Sequence, residues 1–538
     1  MSTAATGDAP SLARGAAVIT IASGISRVTG FLRVVVVAGA MGTTFLANTY
    51  QTANTAPNVV FELVAAGVLT SIFVPTFVSY IASGRRAEGW EAANALTSVA
   101  LVGLILMSAA LALAAPLVMR ALTLGVRDPE LRAQEVALGA RLLRLFAPQL
   151  VLYGAGMIMT AVLHAHRRFA LAAVAPIFNN VVVIGVYLAY AAMRGDRAPS
   201  LTGISDAEVF LLGAGTTAGV LAMTASLIPH LRGLGWRFRL RWQPSHPAVR
   251  QGARVGIWAL GYAGGYQAGL IVVLMLANRI EGGVAAYQWA YTFFYLPHAL
   301  FAVPIFAVLF TAMSEHAAAQ DRGGILRRLQ SGLTMLPFVL VPVAAALIAL
   351  SDDLANVTLG YGVMTEAGAR LVGRVVAAFA VGLPSYSAFL IFTRAFYSLA
   401  DAKRPALMNA LSVGVTSALG AILFFAAPAG WEIAGLALGH SIGFSTGAVL
   451  LGRVLSLRLG RIFGTQVVAA WVRAIFAGMG ALAIMALLTW RLPGGAGAPS
   501  GAAVAVAGSA GVVVYLGLMA WMRSPELGRL GSLARRAR

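Results

Sequence analysis

The chain has 538 residues, 59% of them hydrophobic and 11% charged, with 39 Lys and Arg against 19 Asp and Glu for a net charge of +20. A water-facing domain carries about 25% charged residues, so this composition excludes a soluble globular protein and indicates an integral membrane one. No cysteine is present, which excludes disulfides and thiol chemistry.

Apolar runs of about 18–25 continuous residues predict membrane helices, not the alternating segments of about 10 residues that build a barrel. In chain order the runs lie near 15–40, 56–82, 94–117, 139–163, 170–192, 207–229 and 254–278, then 285–314, 332–350, 370–398, 405–426, 432–452, 467–489 and 501–522. The expectation is an all-α protein of about fourteen spans. The polar N-terminus MSTAATGDAPSLARG has no cleavage pattern, so the first span itself must direct insertion.

Loop charge alternates along the chain. Arg85, Arg86, Arg167, Arg168, the cluster from Arg232 to Arg250, Arg322, Arg327, Arg328, Lys403, Arg404, Arg453, Arg458, Arg461 and the tail arginines fall in one set. The other loops are sparser or balanced by Asp128, Glu130, Asp196, Asp352, Asp353 and Glu366. The positive-inside rule then puts both termini in the cytoplasm, which requires an even number of spans. Charge in short loops is also the pattern of contact with anionic membrane lipids. It is not the single basic face with aromatic partners that nucleic-acid binding needs, so no nucleic-acid partner is expected.

The chain reads as a duplication. Pro148 and Pro384, Arg168 and Arg404, and Leu171 and Leu407 are each 236 residues apart (384 − 148). At the same offset AAGVLTSIFVPTF at 65–77 overlays FAVPIFAVLFTAM at 301–313 in hydropathy. Two parallel six-helix lobes follow, at 1–231 and 254–462, with a basic interfacial linker at 232–253 and two extra spans plus a basic tail at 463–538. A substrate site then belongs near the midplane between the lobes.

Catalytic signatures are missing. The sole lysine, Lys403, follows Ala402 rather than a phosphate-cradling glycine, and no HExxH or supported GxSxG occurs. The expectation is a transporter of the secondary type with no nucleotide site, no cofactor, no metal and an unassigned coupling ion. What remains is polar residues inside spans. Arg27 and Arg33 lie in the first one, in ISRVTGFLRVVVV, where each charge costs roughly 2.5–3.5 kcal/mol or more unless the protein receives it. Six residues separate them by about 9 Å and about 120° around the axis, so a straight helix does not put both on one face. Gly30 between them offers a place to bend. Two readings stay open, a water-filled cationic chamber that takes an anion, or arginines that snorkel and pair within a lobe. Guanidinium, a planar fork that keeps its charge, suits a diphosphate. Glu62 in NTAPNVVFELVAAG is read as an arginine partner ahead of a proton site, Arg394 as pairing with Asp401, and His440 as a packing residue.

SRVTGFLR at 26–33, NTAPNVVFEL at 54–63 and GVLTSIFVP at 67–75 resemble the MurJ (MviN) family, as do YQWAYTFFYLPHALFAVPI at 287–305 and RAFYSLADAKRPALMNA at 394–410. The resemblance covers the whole chain. It implies lipid II flipping within the multidrug/oligosaccharidyl-lipid/polysaccharide exporter superfamily, two lobes with alternating access, and a bacterial cell membrane location. It also implies a cationic cavity for a polyprenyl-diphosphate lipid, a groove for the tail beside spans thirteen and fourteen, and cell wall synthesis machinery as a partner. Arg27 and Arg33 match the family's first-span pair and are the candidate diphosphate ligands. Asn48, Glu62 and Thr292 are secondary cavity candidates. Asn48 stands where many members have an aspartate, Phe61 and Thr292 where they have arginines, and Tyr295 at the acidic neighbour. The alternatives are another polyprenyl-linked oligosaccharide, cation-coupled drug export, which wants an intramembrane carboxylate, and a scaffold or scramblase indifferent to the arginines.

Overall fold

A computed structural model of the protein describes residues 9–64, 86–166, 168–232, 234, 239–246, 249, 264–491 and 499–528. Those residues are helical apart from turns and connecting segments. In chain order the helices are α1 (Ala9–Met41), α2 (Phe45–Val64), α3 (Arg86–Leu113), α4 (Ala115–Leu122), α5 (Pro129–Phe146), α6 (Gln149–Ala165), α7 (Phe169–Arg194), α8 (Asp206–Ala225), α9 (Ile228–Arg232) and α10 (Gly264–Ala277). There follow α11 (Gly283–Pro297), a π turn at His298–Ala302, α12 (Val303–Ala318), α13 (Arg322–Ala349), α14 (Ser351–Leu359), α15 (Glu366–Ala380), α16 (Leu383–Ser398), α17 (Lys403–Ala426), α18 (Glu432–Leu459), α19 (Thr465–Arg491) and α20 (Pro499–Trp521).

Among the described residues eleven helices are long and apolar enough to cross a membrane, or twelve with the bent pair α15–α16 as one span. Helices α2 and α10 fall in the apolar runs that the sequence reading takes as spans two and seven, whose remaining parts lie outside the described residues. The lower half of span two, with the motif at 67–75 and one side of the 65–77 overlay, lies outside the described residues. Packing divides the chain into Met1–Val284 and Ala285–Arg538. The helix at 264–277 therefore groups with the first unit, whereas the sequence reading begins its second lobe at 254.

The duplication is visible helix by helix. The bounds 86–113 of α3 become 322–349 of α13 on adding 236, and α14 starts 236 residues after α4 (351 − 115). Both fourth spans also break at the paired prolines. Pro148 separates α5 from α6, and Pro384 stands just after the break between α15 and α16, where the axis turns by 46°. A break frees carbonyls that hydrocarbon cannot solvate, and hydroxyls from neighbouring helices take them. Ser108 donates to Ala147 O (2.8 Å) and Thr217 to Leu145 O (2.8 Å) in the first unit. Ser441 donates to Ala378 O (2.8 Å) in the second. A side chain at Gly382 would strike Ser441, so the second break fits against α18 only as glycine.

The extra spans dock on α13 by the same logic. Pro337 and Pro342 lie inside that helix, and each lacks the N–H that would bond the carbonyl four residues back. Trp471 Nε1 donates to Leu333 O (3.0 Å) and Tyr515 Oη to Phe338 O (2.9 Å), so α19 and α20 each fill one orphaned acceptor. Phe338, Ala477, Ala481, Met485, Ala507 and Met519 bury the apolar seam around these bonds. Tyr515→Phe keeps the shape and strands a buried carbonyl, so it should cost about 1–3 kcal/mol, read as a lower unfolding temperature in detergent.

Of the linker, residues 239–246 lie without regular structure against α3. Arg241 N–H donates to Ser98 Oγ (2.8 Å), its guanidinium pairs with Glu91, and Leu240 and Trp242 remain exposed. Exposed apolar side chains alternating with arginines fit a membrane-interface segment.

Candidate functional site: a cation among tyrosines in the first unit

Helix α1 runs unbroken through Gly30, so the bend that residue offered is not used. Asn180 of α7 accounts for this. Its amide donates to Ser26 O (3.2 Å) and Thr29 Oγ1 (3.0 Å), close against Gly30, and so ties this stretch of α1 to α7. The guanidinium stems leave this straight helix about 120° apart.

Arg33 is half-buried and close enough to the hydroxyls of Tyr50 (α2), Tyr153 (α6) and Tyr187 (α7) to act on all three electrostatically. Those hydroxyls are ordered. Thr216 Oγ1 gives its one hydrogen to Leu212 O (2.6 Å), so it accepts from Tyr50 (2.6 Å), and Tyr50 in turn accepts from Tyr187 (3.0 Å). Tyr153 bonds Asn58. The environment of Arg33 is thus polar but neutral. No acid pairs with it among the described residues, and a charge left unneutralised inside a span can receive an anion. Arg27, also half-buried, has contacts of its own six residues earlier.

The secondary candidates lie elsewhere. Asn48 is fully buried and its amide is spent on backbone, donating to Ile280 O (2.8 Å) and accepting from Val284 N–H (3.0 Å). Thr52 and Asn278 exchange a hydrogen bond beside it (3.1 Å), and Asn278 also donates to Leu122 O (3.2 Å). Gly282 is required here, with φ +68° and Thr43 packed where a side chain would go. This arrangement fastens the 278–284 turn to α2, with Asn48 buried in the joint. Glu62 is exposed and forms no ion pair among the described residues. Thr292, in the second unit, is half-buried with its hydroxyl on Gln288 O (3.2 Å) of its own helix.

Two further expectations meet the second unit. Asp401 pairs with Arg404 (2.5 Å) and Arg458 (2.8 Å) rather than Arg394, whose guanidinium instead lies over the Phe310 ring (5.8 Å). His440 packs among rings, with centroids of Phe444 at 4.6 Å, Phe379 at 5.2 Å and Phe294 at 5.6 Å. His298, which the sequence reading left unassigned, opens the π turn after Pro297 and bonds Ser387 Oγ through Nδ1 (2.8 Å). It also missed Glu135 of α5, fully buried with neither carboxyl oxygen hydrogen-bonded among the described residues. Among those residues no group of three or more His, Cys, Asp or Glu is placed to hold a metal.

Residues 37–494 match the family described as Lipid II flippase MurJ. The chain belongs to the MurJ family. A relative from Rhizobium tropici named "Probable lipid II flippase MurJ" is 31% identical over 407 residues, 74% of this chain and 73% of that protein. Among solved structures, a lipid II flippase MurJ in an inward closed conformation is similar in fold. Its TM-score is 0.77 at 17% identity, covering 94% of this chain and 98% of that one. An inward-facing MATE-family multidrug resistance transporter shares the fold more distantly, with a TM-score of 0.65, 12% identity, and 84% and 99% covered. MurJ-like and drug-exporting proteins therefore use one architecture, and the family match separates them where the fold does not.

Proposed function

We propose that this chain is a flippase that carries lipid II, an undecaprenyl-diphosphate-linked peptidoglycan precursor, from the inner to the outer leaflet of the bacterial cell membrane by alternating access. Family membership supports the substrate class. The single observation that supports the chemistry is Arg33, a cation inside a span, within electrostatic reach of the neutral hydroxyls of Tyr50, Tyr153 and Tyr187 and with no acid paired to it among the described residues. A diphosphate supplies the missing charge, and guanidinium can grip it with two parallel N–H donors. In this reading Arg27 and Arg33 hold the headgroup while the polyprenyl tail stays in lipid. Glu62 faces the outside of α2, and Asn48 and Thr292 shape their surroundings through backbone bonds.

The transporter is of the secondary type, because its sole lysine lies outside any glycine-rich phosphate loop. Both termini lie in the cytoplasm, and the basic loops meet anionic lipids and the wall-synthesis machinery. Cation-coupled drug export fits less well, since the polar residues around Arg33 carry no negative charge to receive a cation. In a cell depleted of its own flippase, lipid II accumulates on the inner leaflet. Expression of this chain should clear that pool, and a membrane-inserted chain that leaves it in place would contradict the reading.

A further inference from the structure

A cavity of about 380 Å³ opens in the second unit between the first turns of α13 and α19, lined by Arg327, Gln330, Ser331, Thr334, Thr465 and Gln466 among others. Its wall is held from behind, because Gln330 Nε2 donates to Arg461 O (3.0 Å) just ahead of α19. Ser331, Thr465 and Gln466 are exposed there, with no side-chain hydrogen bond to another described residue. Arg322, Arg328, Arg453, Arg458 and Arg461 gather at the same end of the unit, all exposed. Of the acids there, Glu315 is exposed with no ion pair among the described residues, and two others are already used. Asp321 caps Gly324 N–H (2.8 Å) and meets His316 (3.0 Å) and, more loosely, Arg327 (3.6 Å), while Asp401 is shared by Arg404 and Arg458. The Gly324 N–H keeps Asp321 below the usual carboxylate range, so it stays ionised and offsets only part of this charge.

Immediately beyond the cavity, Val468, Val472, Ile475, Phe476 and Met479 form one exposed apolar stripe along α19. A cationic, donor-lined cavity at the head of a lipid-facing stripe matches a molecule with an anionic head and apolar chains. We propose that this cavity binds the phosphodiester of an anionic membrane phospholipid, with Arg327, Gln466 and Thr465 on the phosphate and the acyl chains along the α19 stripe. This site is distinct from the Arg33 site and does not rest on the transport reading.

Native mass spectrometry of the purified full chain, titrated with phosphatidylglycerol or phosphatidylcholine, tests it. One phosphatidylglycerol should be retained beyond the phosphatidylcholine background. Its affinity should fall about five-fold or more in Arg327→Gln/Gln466→Ala, since one surface cation is worth about that factor. Arg370→Gln, whose partner is Glu366 elsewhere in the unit, should leave it unchanged. Millimolar inorganic phosphate should not displace the lipid. Equal retention of both lipids, or a variant that binds like the parent, overturns the proposal. Displacement by free phosphate assigns the cavity to a soluble anion, and displacement by a polyprenyl diphosphate assigns it to substrate. Either also overturns it. Lipid II flipping in vesicles without phosphatidylglycerol should match the parent in the variant, which keeps this outcome separate from the transport reading.

Discussion

Arg33→Ala should abolish rescue of a flippase-depleted cell while leaving a folded protein in the membrane. The hydroxyls of Tyr50 and Tyr187 keep each other and Thr216 satisfied without the guanidinium, so its removal strands no buried partner. What is lost is the charge-assisted fork on the diphosphate, worth about 1.5–3 kcal/mol and so roughly ten- to a hundred-fold in affinity. Arg33→Lys separates charge from shape. A lysine keeps the cation and loses the fork, so partial rescue is expected, measured as growth at graded expression. Full rescue by the alanine variant would mean that the diphosphate is held elsewhere.

The largest stability effect should come from Glu526→Ala. Glu526 follows α20, is buried, accepts from Ser524, and meets Arg473 of α19 through both oxygens at 3.3 Å. Arg473 lies inside a span, so deleting its acid leaves a charge that water barely reaches. Breaking such a pair from one side costs about 3 kcal/mol or more. Replacing both members with apolar residues, as in Arg473→Met/Glu526→Leu, should recover most of that loss. Thermal unfolding of the three proteins in detergent decides it. A double variant as unstable as Glu526→Ala would show that the pair is not the cause.

Much of the fold was legible because the bilayer imposes a simple rule: long apolar runs must be helices. The duplication was legible because Pro148 and Pro384 mark the same break in both halves. The apolar run predicts span four from about 139, whereas its helix begins at Pro129. Glu130, Arg132 and Glu135 look like loop residues until the helix carrying them is seen to project past the apolar run. The 278–284 turn is tied to α2 by amides, and no composition shift announces those bonds. Arg33 could be named from its span alone, but its tyrosine setting could not. Tyr50, Tyr153, Tyr187 and Thr216 come from four separate helices and meet only through tertiary packing. The same holds for Arg394, whose nearness to Asp401 in sequence suggested a pair that Arg404 and Arg458 complete instead.

Purified chain reconstituted into vesicles with lipid II on one leaflet, and an enzyme or quencher confined to the other side, measures translocation without the rest of the cell. Parent protein should expose lipid II to that side over protein-free background, and Arg27→Ala/Arg33→Ala should fall to background. Equal flipping by the parent and the arginine-free double variant would contradict the account.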